Sequence, residues 1–264
     1  MLRTKADQEL VKRLLQVHAT HPFYGVRRLS LELGWSENKT RRIRRLAQLK
    51  IPVASKKHKY RHNKPEIDAP INALRPYAVF KDENRPQDGM NYSGMVDAEA
   101  WVQDFSFLRF NGCFLYLAVV LDVKTRQAVG WRLGTNHSNE LTYAALLDAL
   151  SKHSQPAILH SDQGSEYLSY KHQLICAKLE ITLSASDKSS PWQNGFMERW
   201  FSTFKTEVGP LTRFKDLSEV HEAVAMQIHY YNTKRIHLAL KTTPANYAKQ
   251  LNLTAHKLSE KMVA

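Results

Sequence analysis

An α/β domain with a mixed sheet flanked by helices, preceded by a small all-α helix-turn-helix domain, is the fold class this sequence predicts. Three observations predict it. The first is the apolar run over residues 113–121, joined to a strand-like segment at 101–110 by Asn111-Gly112; such a run bounded by turn signals reads as a buried strand. The second is an apolar face at helical spacing, Tyr143, Leu146, Leu147 and Leu150, followed by a short apolar stretch at 157–160. The third is charge: residues 1–64 hold 17 of the 38 Lys and Arg but only 4 of the 25 Asp and Glu, so the whole net charge of +13 falls there and the remainder is balanced. A basic domain beside a neutral one reads as a nucleic-acid anchor attached to something else.

The elements follow in order. Residues 8–19 carry helical periodicity, which His21-Pro22 ends. A second helix is predicted over 24–33 with Gly34 as its C-terminal cap, and a third over 37–49, capped by Ser36 and stopped before Pro52. Two short helices around a Gly-Trp-Ser turn make a helix-turn-helix pattern, and the second bears Arg41, Arg42, Arg44 and Arg45, suited to phosphates and guanine edges. Residues 52–92 read as a basic, proline-containing linker. His18, His21, His58 and His62 lack a cysteine pair to complete a zinc site. From about residue 93 the second, α/β part begins. Asn111-Gly112 implies a type I′ turn, 122–127 turns the chain, and 128–133 is a third strand. The strand at 157–160 should pair parallel to the first, and this succession begins a ribonuclease-H-like sheet. A helix over 194–208 should bury Met197, Trp200, Phe201 and Phe204, and Asp216-Leu217-Ser218-Glu219 resembles a capping box opening a helix to about Tyr231. The α/β part is expected to run to about residue 250 with a C-terminal helix, leaving 251–264 as a tail.

Other classes are set aside. No run of 18 apolar residues offers a membrane span, and the N-terminus does not read as a signal peptide. Two lone cysteines, Cys113 and Cys176, make no disulfide framework, which points to a reduced, cytoplasmic setting.

The chemistry is carried by acids. Asp104 sits within an apolar strand, Asp162 stands just past a buried one, and Glu198 follows Asp162 after 35 residues on the predicted helix. A buried carboxylate needs a partner or a metal, and two side by side need a cation between them. Lys205, seven residues past Glu198, lies about 20° from it around a helix axis and roughly 10.5 Å further along. Acid and lysine on one face suit a DNA end laid along that helix. Three carboxylates converging on two Mg²⁺ or Mn²⁺ ions would cut and join phosphodiesters.

Here the residues resemble a family. Trp101-Val102-Gln103-Asp104, His160-Ser161-Asp162-Gln163-Gly164-Ser165-Glu166-Tyr167, Pro191-Trp192-Gln193-Asn194-Gly195-Phe196-Met197-Glu198, Tyr231-Asn232-Thr233-Lys234-Arg235-Ile236-His237 and Thr243-Pro244-Ala245-Asn246-Tyr247 occur in order, preceded by His21-Pro22-Phe23-Tyr24-Gly25-Val26-Arg27-Arg28. The chain is similar over about residues 8–250 to the second-frame transposases of the bacterial insertion-sequence-three family, with a retroviral-integrase-like core. The resemblance implies an acid triad of Asp104, Asp162 and Glu198 holding two divalent ions, and Lys205 on the transposon end. It implies DNA contacts also for Asn194, Arg235 and His237. It implies cleavage by water and then attack of the freed 3′-hydroxyl, acting as a multimer on terminal inverted repeats and target DNA in the bacterial cytoplasm, at the nucleoid. An upstream-frame protein with its own helix-turn-helix and leucine zipper is an expected partner or fusion. Ser106 stands where many relatives carry Thr, and the zinc module of retroviral relatives has no counterpart. A silent DNA-binding protein and a stand-alone ribonuclease-H-type nuclease are the competing readings.

Overall fold

Ser36 and Gly34 punctuate the N-terminal helices as their chemistry dictates. In the computed structural model, which describes residues 5–51, 69–77, 79–80, 90–91, 98–187 and 190–263, these are α1 (Lys5–Thr20), α2 (Val26–Leu33) and α3 (Glu37–Leu46). Gly34 takes φ 65°, its N–H and that of Trp35 closing the end of α2 onto Leu31 O and Ser30 O, the left-handed cap that glycine favours. Ser36 Oγ accepts from Lys39 N at the start of α3. Helix α2 begins two residues later than expected, because Tyr24 is used elsewhere. Helix α3 ends at Leu46 rather than Leu49: Gln48 turns to φ 50°, and Arg44 Nε donates to Leu49 O at 3.3 Å.

Two units are distinguished, one of Arg61–Asn232 and one of Met1–Tyr60 with Thr233–Ala264. Most of the linker expected at 52–92, with His58 and His62, lies outside the described residues; within that span Val79–Phe80 (β1) pairs antiparallel with Met90–Asn91 (β2). The larger unit is built on five strands in the order β5-β4-β3-β6-β7. These are β3 (Ala100–Phe110), β4 (Cys113–Asp122), β5 (Ala128–Gly134), β6 (Ile158–Ser161) and β7 (Thr182–Ala185). Asn111 and Gly112 take φ of 42° and 81°, the positive pair that a type I′ hairpin needs. β3, β4 and β5 form the antiparallel meander, and β6 pairs parallel to β3, as expected. Helices α4 (Asn139–Leu150), α5 (Tyr170–Lys178), α6 (Gly195–Val208) and α7 (Leu217–Thr233) complete it.

Both faces of the sheet are covered, so strand residues alternate between two cores. Val102, Leu117, Val119 and Leu121 join Met197, Trp200, Phe201 and Phe204 of α6 and Val224 and Ile228 of α7. Trp101, Ala118, Val120 and Leu159 face Ala145, Leu146 and Ala149 of α4 and Cys176 of α5. The α6 residues are the ones its periodicity selected. At the start of α7, Asp216 Oδ1 accepts from Glu219 N, while Glu219 reaches back to Lys215 N, one residue beyond a standard capping box.

Residues 233–264 form one compact unit with residues 1–60. The reason is a clasp. Ile236 completes the core of Leu14, Tyr24, Leu29 and Ile43. The Tyr24 hydroxyl accepts from Ile236 N at 2.6 Å and donates to Lys234 O at 3.2 Å, while Arg28 Nε donates to Ile236 O at 2.9 Å. The expected tail is also helical: α8 spans Pro244–Val263. Tyr24→Phe should therefore destabilise this unit by about 1–3 kcal/mol, because the Ile236 N–H is left without its acceptor in a buried place. Urea unfolding followed by far-UV circular dichroism would show it, and an unchanged midpoint would refute the clasp. No helix among the described residues is long and apolar enough to cross a membrane.

Candidate active site

Alternation along β3 puts Asp104 on the face of Val102, Leu108 and Phe110, the face covered by α6. β3 and β6 pair with Ala100 opposite Ile158 and Val102 opposite His160. The same offset carried two residues on sets Asp104 level with Asp162, just past the end of β6. β6 and β7 pair with Ile158 opposite Thr182 and His160 opposite Ser184; carried on, Asp162 stands level with Ser186. One row across three parallel strands thus reads Asp104, Asp162, Ser186. It lies at the carboxyl ends of β6 and β7, where open sheets of parallel strands hold their ligands.

Both aspartates are half-buried and oriented by hydrogen bonds. Asp104 Oδ1 accepts from Phe105 N at 2.8 Å, and Asp162 Oδ1 from Ser186 Oγ at 3.3 Å. Glu198 is exposed in the first turn of α6, between two anchors to β3. Asn194 Nδ2 donates to Gln103 O at 3.2 Å. Lys205 Nζ donates to Ser106 Oγ and lies 5.0 Å from the Phe107 ring centroid. At about 100° per residue, Glu198 falls within roughly 40° of both anchors around the helix, so it faces the stretch of β3 that bears Asp104. Among the described residues, no three His, Cys, Asp or Glu side chains are close enough together to hold a metal ion; the third acid is not gathered onto the other two. The donors fit a hard divalent cation in kind, being carboxylate oxygens only.

Tyr167 and Glu166 add to this corner, in the quoted motif but with no role read from the sequence. The Tyr167 phenol is buried, and its hydroxyl has no partner among the described residues. Burial, then the negative charge of Asp104, Glu166 and Asp162, pushes its pKa well above the ordinary value. The buried Glu166 carboxylate lies 3.7 Å from His137, which stacks on Phe105 at 4.2 Å. Gly164 leaves the room: a Cβ there would overlap that carboxylate.

The residues expected on DNA differ in exposure and in partners. Asn194 is 2% exposed and Arg235 5% exposed. His237 N donates to Thr242 O at 2.8 Å across an isolated bridge in the 233–264 segment. The four arginines of α3 divide. Arg42 pairs with Asp7 of α1 at 2.9 Å, its own side chain remaining half-exposed. Arg41, paired with Glu37 at 2.6 Å, lines one open groove with Arg44, Arg45 and Lys50.

Residues 97–191 and 179–244 match two family descriptions, both of an integrase core domain. The putative transposase InsK of insertion sequence IS150 from Escherichia coli is 31% identical over 250 residues, covering 92% of this chain and 83% of that protein. The transposase of insertion sequence IS904 from Lactococcus lactis is 34% identical over 155 residues, covering 57% of this chain and 61% of that one. A chain of the simian T-cell lymphotropic virus intasome superposes with TM-score 0.50 at 17% identity, covering 89% of this chain and 73% of that one; at that identity the likeness is of fold, a ribonuclease-H-like integrase core. With an integrase core match, a relative similar over nearly its whole length and the mixed sheet that such cores share, the chain belongs to the insertion-sequence-three family of transposases, polynucleotidyl transferases that move DNA at insertion-sequence ends.

Proposed function

We propose that Asp104, Asp162 and Glu198 are the catalytic acids of this transposase and would hold two Mg²⁺ or Mn²⁺ ions. The observation that carries the reading is the register that sets Asp104 level with Asp162 beneath α6. Two such carboxylates repel each other and are matched by a cation. Bound there, divalent ions would activate an attacking oxygen at neutral pH and stabilise a leaving one.

This chain's own residues orient the reactants. Lys205, on the Glu198 face of α6, directs the transposon end along that helix. In the first step a water oxygen forms a bond to phosphorus and the bond to the 3′-oxygen breaks, leaving a 3′-hydroxyl. In the second, that hydroxyl attacks a target phosphodiester and displaces its 3′-oxygen, with no covalent protein intermediate. The protein acts as a multimer on paired ends, together with an upstream-frame protein that brings a further DNA-binding element. Incubating the chain with labelled terminal inverted repeats and Mg²⁺ tests this: end-specific nicking followed by joining is the expected result. Cutting with neither end preference nor joining would indicate a plain nuclease, and binding without chemistry a silent DNA-binding protein.

Grip on DNA comes mainly from the basic N-terminal unit. Replacing Arg41, Arg44 and Arg45 together by Ala should lower the slope of log affinity against log salt by about 0.9 for each phosphate no longer neutralised. Arg42→Ala should change stability more than the salt slope, since it removes one ion-pair partner of a nearly buried Asp7. Fluorescence anisotropy across a salt series distinguishes the two; an unchanged slope in the triple variant would show that these arginines do not touch phosphates.

A further inference from the structure

Beneath the row of acids runs a second row, Val102, His160, Ser184, on the same face of the sheet. The two rows are linked by side-chain hydrogen bonds. Ser186 Oγ lies 3.3 Å from Asp162 Oδ1 and 3.2 Å from His160 Nε2; His160 Nδ1 lies 2.8 Å from Ser184 Oγ, which accepts from Ala73 N at 2.9 Å. All three side chains are buried, His160 completely. We propose that Ser184, His160 and Ser186 form a one-directional hydrogen-bond relay that holds the Asp162 carboxylate in its metal-binding orientation. The proposal rests on the reading of Asp162 as a metal ligand.

The direction follows from counting protons. An ionised Asp162 only accepts, so Ser186 must give it its single hydroxyl proton. Ser186 then has none left for the imidazole, and His160 Nε2 must carry the hydrogen between them. In a neutral ring Nδ1 is then an acceptor, to which the Ser184 hydroxyl donates, and the Ser184 oxygen in turn accepts from the Ala73 N–H. Neutrality is what the complete burial of the imidazole demands. The far end is fixed by Asn72, beside Ala73, whose Nδ2 donates to Gln193 Oε1 at 2.9 Å; Gln193 in turn holds Asp187, next to Ser186, through both its backbone N–H and its carboxylate. An aspartate so oriented meets a cation without first losing rotamer freedom, and partners of this kind set metal affinity.

Two measurements on the full chain test it. Nitrogen-15 NMR of the histidine side chains at neutral pH should find His160 neutral and protonated at Nε2; a ring protonated at Nδ1, or at both nitrogens, overturns the relay. Mn²⁺ titration followed by electron paramagnetic resonance should show Ser186→Ala weakening metal affinity by about 10-fold or more, with Ser186→Thr restoring it and the melting temperature of both near that of the native chain. Unchanged affinity in Ser186→Ala, or a Thr variant no better than Ala, overturns the proposal. Asp162→Asn separates the two levels: if it keeps native Mn²⁺ affinity, the assignment of Asp162 as a ligand fails and the positioning role falls with it, whereas reduced affinity there with intact affinity in Ser186→Ala refutes the relay alone.

Discussion

Asp104→Asn is expected to lower end cleavage and joining by roughly 10³-fold or more, about 4 kcal/mol of barrier, while DNA affinity and stability stay near the native values. The substitution is isosteric. The backbone N–H of Phe105, which Asp104 Oδ1 accepts at 2.8 Å, finds an amide oxygen in the same place, so the local turn of the strand survives. What disappears is one anionic oxygen. An amide nitrogen has no lone pair to offer a hard cation, and the negative charge opposite Asp162 is gone. The N-terminal basic helices are untouched, and the binding isotherm should be unchanged. Single-turnover assays on a labelled inverted repeat, beside anisotropy on the same DNA, give both numbers. Native-like cleavage in this variant would remove Asp104 from the site.

Gly130→Ala is expected to destabilise the larger unit by about 3 kcal/mol. A Cβ on Gly130 would sit 2.4 Å from Ala145 O, 2.6 Å from Ala149 N and 2.7 Å from Ala149 Cβ. These are backbone and short side-chain atoms of α4, so no flexible group can swing aside; the helix itself must lift. It is held from doing so: Asp148 of α4 accepts from Trp131 N at 3.3 Å and pairs with Arg132 at 2.7 Å, both on β5. The close approach arises from a bulge, where the pairing with β4 steps from Val120–Gly130 to Leu121–Ala128. The extra residue, Val129, lets β5 turn two successive positions toward α4. Urea unfolding gives the measurement, and a midpoint within error of the native one would mean that α4 yields freely.

Nothing in the sequence around Gly130 advertised this. The strand at 128–133 was readable from its apolar pattern, but a glycine in a strand has several uses, and the helix that crowds it arrives later in the chain. The same holds for α5 and β7, neither of which was foreseen. Thr182–Ala185 holds two hydroxyl side chains in four residues and becomes a strand because β6 beside it offers a free edge. Ser184 and Ser186 gain a purpose only when that pairing puts them beside His160 and Asp162. Asn194 and Arg235, expected on DNA from their motifs, turned out buried because their elements close on β3 and on the N-terminal helices.

What the sequence determined by itself is whatever local physics decides within a few residues. Asn111-Gly112 made the hairpin because two positive φ angles are cheap there, Ser36 and Gly34 bounded helices by satisfying orphan backbone groups, and the spacing of Met197, Trp200, Phe201 and Phe204 chose the buried face of α6. The acids themselves, and the family they resemble, were legible in the same way. Tertiary structure alone decided the offsets between strands and the return of residues 233–250 to the first helices. Register depends on which apolar faces meet across the sheet, a sum over interactions between residues far apart in the chain. It is this long-range sum that sets Asp104 level with Asp162, and Asp162 level with the serine that orients it.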